Sequence, residues 1–338
     1  MNILVTGGAG FIGSNFVRYL LDVSDENFIV NFDKLTYSGN FENLSDVEKK
    51  FLGRYVFIKG DICEKKKVKD LIYSNKIDVI VNFAAETHVD RSIKEGSKDF
   101  IRTNIGGTET LLSVGLKQDV KLYIQISTDE VYGSLGEEGI FTEESNLSPN
   151  NPYSASKAGA DLIALSYYKT FGLPVIILRS CNNYGPYQFP EKLIPLLITN
   201  AIEDKYLPIY GKGENVREWI FVEDFCRAIY IVMNNGRPGE IYNVSSGIQK
   251  KNIEVAELIL EKLGKSKDII KFVEDRKGHD WRYSMDYSKI ENEIGWFPKI
   301  DFENGLDITI NWYLCNCEWV KNVKNKEYLK YYKKYYGL

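Results

Sequence analysis

The chain has 338 residues, of which 44% are hydrophobic and 27% are charged, and its formal net charge at pH 7 is −4. This length leaves room for one large domain or two smaller ones with a sizeable core, and the proportions are ordinary for a globular protein. The acidic balance does not favour nucleic-acid binding, and no apolar stretch is long enough to span a bilayer. We therefore expect contact with neither nucleic acid nor membrane.

The chain contains five cysteines, an odd number without the spacing of a disulfide framework. Cys315 and Cys317 form a Cys-x-Cys pair without a second pair, so we expect no metal site. The first residues pass directly into a predicted strand, without a basic segment and a cleavable apolar run before it. Reduced thiols and the lack of a leader pattern predict a cytoplasmic protein.

Short apolar runs alternate with helical patterns over the first part of the chain. The predicted strands cover residues 3–6, 28–33, 55–59, 78–83, 122–127 and 175–179, and the intervening predicted helices include 12–21, 98–116 and 154–171. The strands are nearly continuous runs of Ile, Val and Phe, which is typical of parallel strands buried on both faces. This alternation predicts an α/β fold with a Rossmann-type, doubly wound parallel sheet.

The rhythm changes near residue 180, where prolines and glycines separate shorter elements. We predict helices over 191–203, 222–234, 252–263 and 304–312, a short strand over 241–244, and a solvated helix after Glu318. The sequence therefore predicts a Rossmann domain over 1–180, to which some later segments return. Residues 181–338 are expected to form a smaller C-terminal α/β substrate lobe.

A glycine-rich loop follows the first predicted strand and opens the first helix. Gly7, Gly10 and Gly13 permit a tight turn and close approach of a pyrophosphate to the backbone at a helix amino end. Asp33 ends the second strand, where a carboxylate can accept hydrogen bonds from ribose hydroxyls and repel a ribose phosphate. The pattern favours NAD over NADP as cofactor, although the neighbouring Lys34 weakens that preference.

Tyr153 and Lys157 are four residues apart and lie on one face of a predicted helix. An ammonium near a phenol favours the phenolate, so we expect a lowered pKa of Tyr153. A tyrosine with a lowered pKa can act as a base near neutral pH. Pro152 stands where the helix is expected to begin.

Asp129 and Glu130 directly follow the fifth predicted strand. Ligands bind at the carboxyl ends of the strands in such sheets. Adjacent carboxylates resist being charged together, so one pKa rises and the pair can supply an acid and a base. A simple redox enzyme does not require this pair, which indicates that water is eliminated from the substrate.

These motifs resemble the nucleotide-sugar branch of the extended short-chain dehydrogenase/reductase superfamily, and within it the dTDP-glucose 4,6-dehydratase family. The supporting segments span nearly the whole chain in order: residues 7–13, 35–40, 84–92, 127–133, 153–157, 179–194, 213–217 and 275–280. The resemblance implies a hydro-lyase that converts dTDP-glucose to dTDP-4-keto-6-deoxy-glucose with tightly bound NAD, an early step of deoxysugar biosynthesis. It also implies a homodimer that packs the helices over 98–116 and 154–171 against their mates.

The implied catalytic residues each have a role in this reaction. Tyr153, supported by Lys157, takes the proton from O4 while hydride leaves C4, and Thr128 hydrogen-bonds to the developing ketone oxygen. Glu130 then removes the C5 proton, and Asp129 protonates the C6 hydroxyl so that water leaves. Hydride returns to C6, and protonation at C5 completes the product.

The resemblance also implies two sets of binding residues. Those expected at the cofactor are Gly7, Gly10, Phe11, Ile12, Gly13, Asp33, Lys34, Leu35, Thr36, Asp61, Ile62, Phe83, Ala84, Ala85, Thr103, Tyr153, Lys157 and Asn183. Those expected at the small-molecule nucleotide-sugar substrate are Thr87, His88, Thr128, Asn182, Glu191, Lys192, Leu193, Pro208, Tyr210, Arg217, Asn252, Arg276 and His279.

Other functions remain open at this point. A 4-epimerase also uses Tyr-x-x-x-Lys and bound NAD but does not need the Asp129–Glu130 pair. A UDP-glucose 4,6-dehydratase or a UDP-sugar decarboxylase would differ in the nucleotide or the sugar. A scaffold that only senses NAD would be expected to have lost Tyr153, Lys157 or Glu130, and all three are present.

Overall fold

A seven-stranded, wholly parallel sheet forms the centre of the computed structural model, which describes residues 1–275 and 278–324. Its strand order is β10-β6-β5-β4-β1-β2-β3. The strands are β1 (Asn2–Thr6), β2 (Phe28–Asp33), β3 (Tyr55–Lys59), β4 (Val79–Asn82), β5 (Leu122–Thr128), β6 (Val175–Ser180) and β10 (Ile241–Val244). The predicted Rossmann-type α/β fold is confirmed.

Helices cover both faces of this sheet. The helices of this part of the chain are α1 (Phe11–Val23), α2 (Val47–Lys50), α3 (Lys65–Ser74), α4 (Val89–Lys94), α5 (Lys98–Phe100), α6 (Thr108–Lys117), α7 (Pro152–Phe171), α9 (Val222–Asn235) and α11 (Ser288–Ile294). Side chains of α1 and α9 share one apolar core, and those of α3, α6 and α7 pack in another on the opposite face. Within β1, Ile3 and Val5 belong to the first core and Leu4 to the second. Burial on both faces explains why the strands read as continuous apolar runs.

A smaller lobe lies beyond the carboxyl ends of the sheet strands. It contains β7 (Asn182–Tyr184), β8 (Leu207–Tyr210), β9 (Val216–Phe221), β11 (Gln249–Lys251), β12 (Ile270–Val273), α8 (Leu193–Ile202), α10 (Asn252–Lys262), α12 (Phe302–Cys315) and α13 (Cys317–Val323). Strands β11, β9 and β7 form one small sheet, and β12 pairs with β8. The core of this lobe is separate from the two beside the main sheet. The division at residue 180 stays a prediction.

Three local features differ from the sequence predictions. Strand β10, expected among the elements of the smaller lobe, pairs in parallel with β6 and extends the main sheet. The single helix expected over 98–116 is interrupted by a π-helical turn at Ile101–Gly107. A side chain at position 107 would collide with Ile62, since its Cβ would lie 2.3 Å from the Ile62 Cδ1. Of the solvated helix expected after Glu318, the part beyond residue 324 lies outside the described residues, and in the described part α13 buries Trp319 in the core of the smaller lobe.

Candidate active site

The glycine-rich loop joins β1 to α1 and forms a backbone cradle. Gly7 has φ +69°, and a Cβ there would lie 2.6 Å from the amide nitrogen of Ala84. A Cβ on Gly13 would lie 2.4 Å from the carbonyl oxygen of Gly7. Gly10 is the N-cap of α1 and offers no side chain to cap the helix, so the first amide groups are left for a ligand. The cradle therefore fits the pyrophosphate of a dinucleotide.

Asp33 lies at the carboxyl end of β2 beside this loop. Its Oδ2 accepts a hydrogen bond from Ala9 N at 3.0 Å, and its Oδ1 accepts one from Leu35 N at 2.7 Å. Burial raises the pKa of Asp33, and these two backbone donors oppose the rise. Each carboxylate oxygen retains acceptor capacity for a ribose hydroxyl. Lys34 pairs with Asp61 at 3.1 Å, which accounts for its charge without a ribose phosphate.

A cavity of about 300 Å³ opens from the cradle toward the end of β5. Among the residues predicted at the cofactor, its lining includes Gly7, Gly10, Phe11, Ile12, Gly13, Asp33, Lys34, Thr36, Asp61, Ile62, Phe83, Ala84, Ala85, Thr103, Tyr153, Lys157 and Asn183. Leu35 is outside that lining, and its backbone nitrogen instead holds the carboxylate of Asp33. The predicted cofactor residues other than Leu35 therefore line one continuous surface, and Leu35 lies behind that surface.

Helix α7 presents Tyr153 and Lys157 to this cavity. Asn151 caps the helix by accepting a hydrogen bond from Ser154 N at 2.9 Å, and Pro152 occupies the first turn. Lys157 Nζ donates to the carbonyl oxygen of Ile126 at 2.6 Å, and burial lowers the pKa of Lys157 to about 8.

The expected lowering of the Tyr153 pKa is wrong for this structure. Burial and the nearby carboxylates of Glu130 and Asp129 raise the pKa of the phenol above its ordinary value. Desolvation disfavours the charged phenolate, and two neighbouring acidic groups add repulsion. Lys157 Nζ donates to the Ile126 carbonyl oxygen rather than to the phenol.

Asp129 and Glu130 lie in a single helical turn, Asp129–Tyr132, directly after β5. Asp129 is 1% exposed, and its Oδ1 accepts a hydrogen bond from the Thr128 hydroxyl at 3.0 Å. Burial and the charge of Glu130 raise the pKa of Asp129 well above its ordinary value. Burial also raises the pKa of Glu130, but Arg217 and the Asn151 side chain oppose this. The pKa of Asp129 is raised further than that of Glu130, so Asp129 is the more readily protonated of the two.

A second cavity, of about 180 Å³, adjoins the first on the side of the smaller lobe. Residues that line both cavities are Thr87, Glu130, Asn182, Asn183, Gln188, Glu191 and Lys192. The remaining predicted substrate residues at the second cavity are His88, Leu193, Pro208, Tyr210, Arg217, Asn252 and His279, whereas Thr128 lines the first. Arg276, also predicted there, lies outside the described residues.

The charged groups of the second cavity are held by neighbours on several elements. Arg217 Nη2 donates to the carbonyl oxygen of Asp280 at 2.9 Å, and its guanidinium lies 4.5 Å from the centre of the Tyr283 ring. His88 Nε2 is 3.7 Å from Glu191 Oε2. Burial raises the pKa of Glu191 to about 7. The second cavity is thus lined by a cation, Arg217, and by a buried acid, Glu191.

Several lining or supporting residues were not predicted from the sequence. Asn151 donates from Nδ2 to Glu130 Oε2 at 3.4 Å, and Tyr283 stacks on Arg217. The order Asn151-Pro152-x-Ser154 is a recognisable helix-start pattern that could have identified Asn151 as a cap near the pair. Gln188 lines both cavities, and nothing in its local sequence pattern indicated this.

The described part of the chain shows neither a membrane-spanning helix nor a cluster of metal-ligating side chains. Within residues 1–275 and 278–324, no helix combines the length and apolarity needed to cross a membrane. Over the same ranges, His, Cys, Asp and Glu side chains form no cluster of three or more that could hold a metal ion.

Comparisons with known proteins place the chain in a family. The family model described as GDP-mannose 4,6 dehydratase matches residues 4–309. A low-salt glycan biosynthesis protein, Agl12, from Haloferax volcanii is 52% identical over 93% of this chain and 99% of its own. A dTDP-glucose 4,6-dehydratase from Streptomyces niveus is 47% identical over 97% of each chain.

A solved structure gives the same result. DesIV, a dTDP-glucose 4,6-dehydratase from Streptomyces venezuelae determined with NAD bound, superposes with a TM-score of 0.92 at 48% identity. The match covers 96% of this chain and 100% of that one. Together with the glycine cradle and the Asp129–Glu130 pair beside Tyr153, these comparisons place the chain in the dTDP-glucose 4,6-dehydratase family.

Proposed function

We propose that this protein removes water from dTDP-glucose to give the 4-keto-6-deoxy sugar nucleotide, with NAD held in the larger cavity. The observation that carries this proposal is the Asp129–Glu130 pair, in which Asp129 lines the larger cavity and Glu130 lines both cavities. Its two carboxyl groups experience different environments, as an acid and a base in one elimination require. NAD fits the cradle formed by Gly7, Gly10 and Gly13.

Tyr153 and Thr128 act at the sugar C4. When bound, NAD supplies a carbon that accepts hydride from C4 and returns it at C6. Tyr153 takes the proton of the O4 hydroxyl, and the Thr128 hydroxyl donates a hydrogen bond to the oxygen as it becomes a ketone. Lys157 lies one helical turn from Tyr153, and its Nζ is held by the Ile126 carbonyl oxygen.

Glu130 and Asp129 carry out the elimination. The new ketone makes the C5 proton acidic, and Glu130, the better ionised carboxylate, removes it. Asp129 donates its proton to the C6 hydroxyl, which leaves as water. Glu130 then returns its proton to C5. The roles follow from electrostatics, because Arg217 favours the charged form of Glu130 and burial favours the neutral form of Asp129.

The smaller cavity receives the nucleoside diphosphate. Arg217 is positioned there by backbone carbonyls, and a guanidinium suits a diphosphate because it can donate two parallel hydrogen bonds. His279 lines the same cavity. Pro208 and Tyr210 provide an apolar and aromatic surface for the base.

Two wider features belong to the proposal. Ile101, Leu162 and Phe171 are 52%, 58% and 56% exposed on the π-helical turn and on α7, which supports a homodimer formed through this surface. Light scattering at micromolar concentration should give twice the mass of one chain.

Free thiols at all five cysteines support a cytoplasmic location.

Mass spectrometry of separate reactions with dTDP-glucose, UDP-glucose and dTDP-galactose tests the proposal. Loss of one water from dTDP-glucose alone is the expected result. Loss of water from UDP-glucose at equal efficiency would contradict the thymidine assignment but retain the elimination. Interconversion of glucose and galactose forms without any change of mass would make the protein an epimerase.

A further inference from the structure

A tight turn after β2, residues 36–39, forms part of the wall of the larger cavity. The backbone nitrogen of Gly39 donates to the carbonyl oxygen of Thr36 at 3.1 Å, which closes the turn. A Cβ at Gly39 would lie 2.9 Å from Asp33 Oδ1, so the turn packs against the carboxylate that suits a ribose. Thr36, Ser38 and Gly39 line the cavity. The turn therefore lies beside the ribose end of the cofactor site.

Tyr37, between the lining residues of this turn, contacts other side chains and is not part of the cavity lining. Its ring meets the ring of Phe189 edge-on, with the ring centres 5.9 Å apart and the planes at 87°. The guanidinium of Arg91 lies 3.6 Å from the centre of the Tyr37 ring. Edge-on aromatic pairs and cation–π pairs at such distances are attractive. We call Tyr37, Phe189 and Arg91 the clasp.

The clasp joins three separate parts of the molecule. Phe189 lies in the segment 185–192, which connects β7 to α8 in the smaller lobe, and it lines the larger cavity. Arg91 lies on α4, after the fourth strand of the main sheet. Tyr37 comes from the turn beside the ribose end. The clasp therefore ties the turn 36–39 to the connecting segment, and both of these form walls of the larger cavity.

The second cavity has a different wall. Of the residues that the structure describes, its lining includes none from the range 33–39 and no member of the clasp. A sugar nucleotide can therefore exchange on the side of the smaller lobe while the clasp stays in place. NAD is restored to its starting form at the end of each proposed turnover, so it does not have to leave between turnovers.

We propose that the clasp is a gate for the cofactor, and this inference rests on the proposed function, which places NAD in the larger cavity. Parting of Tyr37 from Phe189 and Arg91 limits how fast NAD enters and leaves. Because Tyr37 contacts protein side chains and not the cavity, its contacts persist with NAD in place and break only while the walls part. Their loss lowers the barrier to passage in both directions.

A tyrosine that only supported the ribose site would have a different effect. The turn packs against Asp33, so a loosened turn would weaken the hold of this carboxylate on the ribose. Release of NAD would then be faster without faster association, and the dissociation constant would rise by the same factor as the release rate. Comparison of the release rate with the dissociation constant therefore separates a gate from a support.

Tyr37→Ala and Tyr37→Phe test the gate in the holoenzyme. Protein loaded with radiolabelled NAD is mixed with excess unlabelled NAD, and the label retained on the protein gives the release rate. Equilibrium dialysis gives the dissociation constant. In Tyr37→Ala we expect release to be roughly tenfold faster, the size of one lost aromatic pair and one lost cation–π pair. The dissociation constant should stay within about twofold of wild type.

Two further variants complete the design. Tyr37→Phe keeps both ring contacts and should release NAD at nearly the wild-type rate. Phe41→Ala is the matched control, because Phe41 lies just beyond the turn and packs on Phe57, 5.1 Å away between ring centres, rather than on the clasp. It should keep both constants. If Tyr37→Ala does not unfold cooperatively, Arg91→Gln leaves the turn intact and should speed release roughly threefold.

Each outcome decides the proposal. A dissociation constant that rises in step with the release rate in Tyr37→Ala would make Tyr37 a support and overturn the gate. Unchanged release in Tyr37→Ala, or equally faster release in Phe41→Ala, would overturn it as well. A wild-type protein that binds no NAD would refute the proposed function together with the gate. Loss of water from dTDP-glucose by a protein without the expected release kinetics would refute the gate alone.

Discussion

The indole Nε1 of Trp319 donates a hydrogen bond to Asn43 Oδ1 at 2.8 Å, across 276 residues of sequence. Asn43 Nδ2 in turn donates to the carbonyl oxygen of Ala9 at 2.9 Å, within the glycine-rich loop. Both residues are buried. The C-terminal helix α13 therefore supports the loop that is proposed to hold the cofactor.

Replacing Trp319 with Phe should weaken NAD binding. The change keeps an aromatic ring but removes one hydrogen bond, which is worth about 1 kcal/mol and corresponds to a roughly fivefold higher dissociation constant. Calorimetric titration of NAD measures it. Trp312→Phe is the matched control, since that indole packs 4.9 Å from Trp319 between ring centres. Equal effects of both substitutions would remove Trp319 from this supporting role.

Glu130→Gln should stop the reaction after the oxidation of C4. An amide cannot take the C5 proton, so reduced nicotinamide should accumulate on the enzyme in the presence of dTDP-glucose. Absorbance of reduced nicotinamide under single-turnover conditions measures this. The exposed Glu137→Gln serves as control and should behave as wild type. Normal turnover by Glu130→Gln would show that another group is the base.

Tyr153→Phe should block the reaction one step earlier. Without the phenol, the O4 proton has no acceptor, so neither reduced nicotinamide nor product should form. The same absorbance assay distinguishes this variant from Glu130→Gln. Tyr168→Phe, at a more exposed position on the same helix, is the control. Appreciable reduced nicotinamide in Tyr153→Phe would exclude the assigned role.

The dependence of kcat on pH should have two limbs set by the carboxyl pair. Glu130 must be ionised, so the rate falls as pH drops through its pKa, which burial raises above the ordinary value. Asp129 must be protonated, so the rate falls as pH rises through its pKa, which burial raises further. Both limbs of the pH profile therefore fall at pH values above the ordinary pKa values of carboxyl groups.

Arg217 provides a check on the acid limb. Its positive charge lowers the pKa of Glu130, so Arg217→Gln should move that limb to higher pH, whereas Arg217→Lys should leave it nearer its original position. An acid limb that is identical in all three proteins would mean that Glu130 does not control it.

The buried pair of Asp161 and Arg179 should matter for stability. Arg179 Nε lies 3.0 Å from Asp161 Oδ2, and the two side chains are 2% and 0% exposed. Asp161→Leu leaves a buried guanidinium without a counter-charge, which should lower the free energy of unfolding by about 3–5 kcal/mol. Urea denaturation measures it. The double variant Asp161→Leu/Arg179→Met should recover most of the loss, and failure to do so would argue against an uncompensated charge as the cause.

Sequence patterns predicted the main sheet well because its strands are apolar on both faces. Strands β2 and β3 have the predicted bounds, and β1 begins only one residue earlier. The placement of β10 could not be predicted, because its four residues carry no signal for which sheet they join. The π-helical turn contains Gly107, which lies against Ile62, a contact distant in sequence that no local pattern indicates.

In the site, too, features set by local sequence were predicted and features set by tertiary contacts were not. The motifs around Gly7, Asp129 and Tyr153 were predicted because each follows a strand or opens a helix, where local sequence determines position. The pKa of Tyr153 was mispredicted because it depends on burial and on two carboxyl groups brought from another element. Tertiary electrostatics of this kind have no local sequence pattern.

Deuterium at C4 of dTDP-glucose tests the central claim most directly. If hydride leaves C4 and returns within the same active site, NMR of the product should find the deuterium at C6, with a solvent-derived or returned proton at C5. Deuterium that remains at C4, or that is lost to solvent while water is eliminated, would contradict the account.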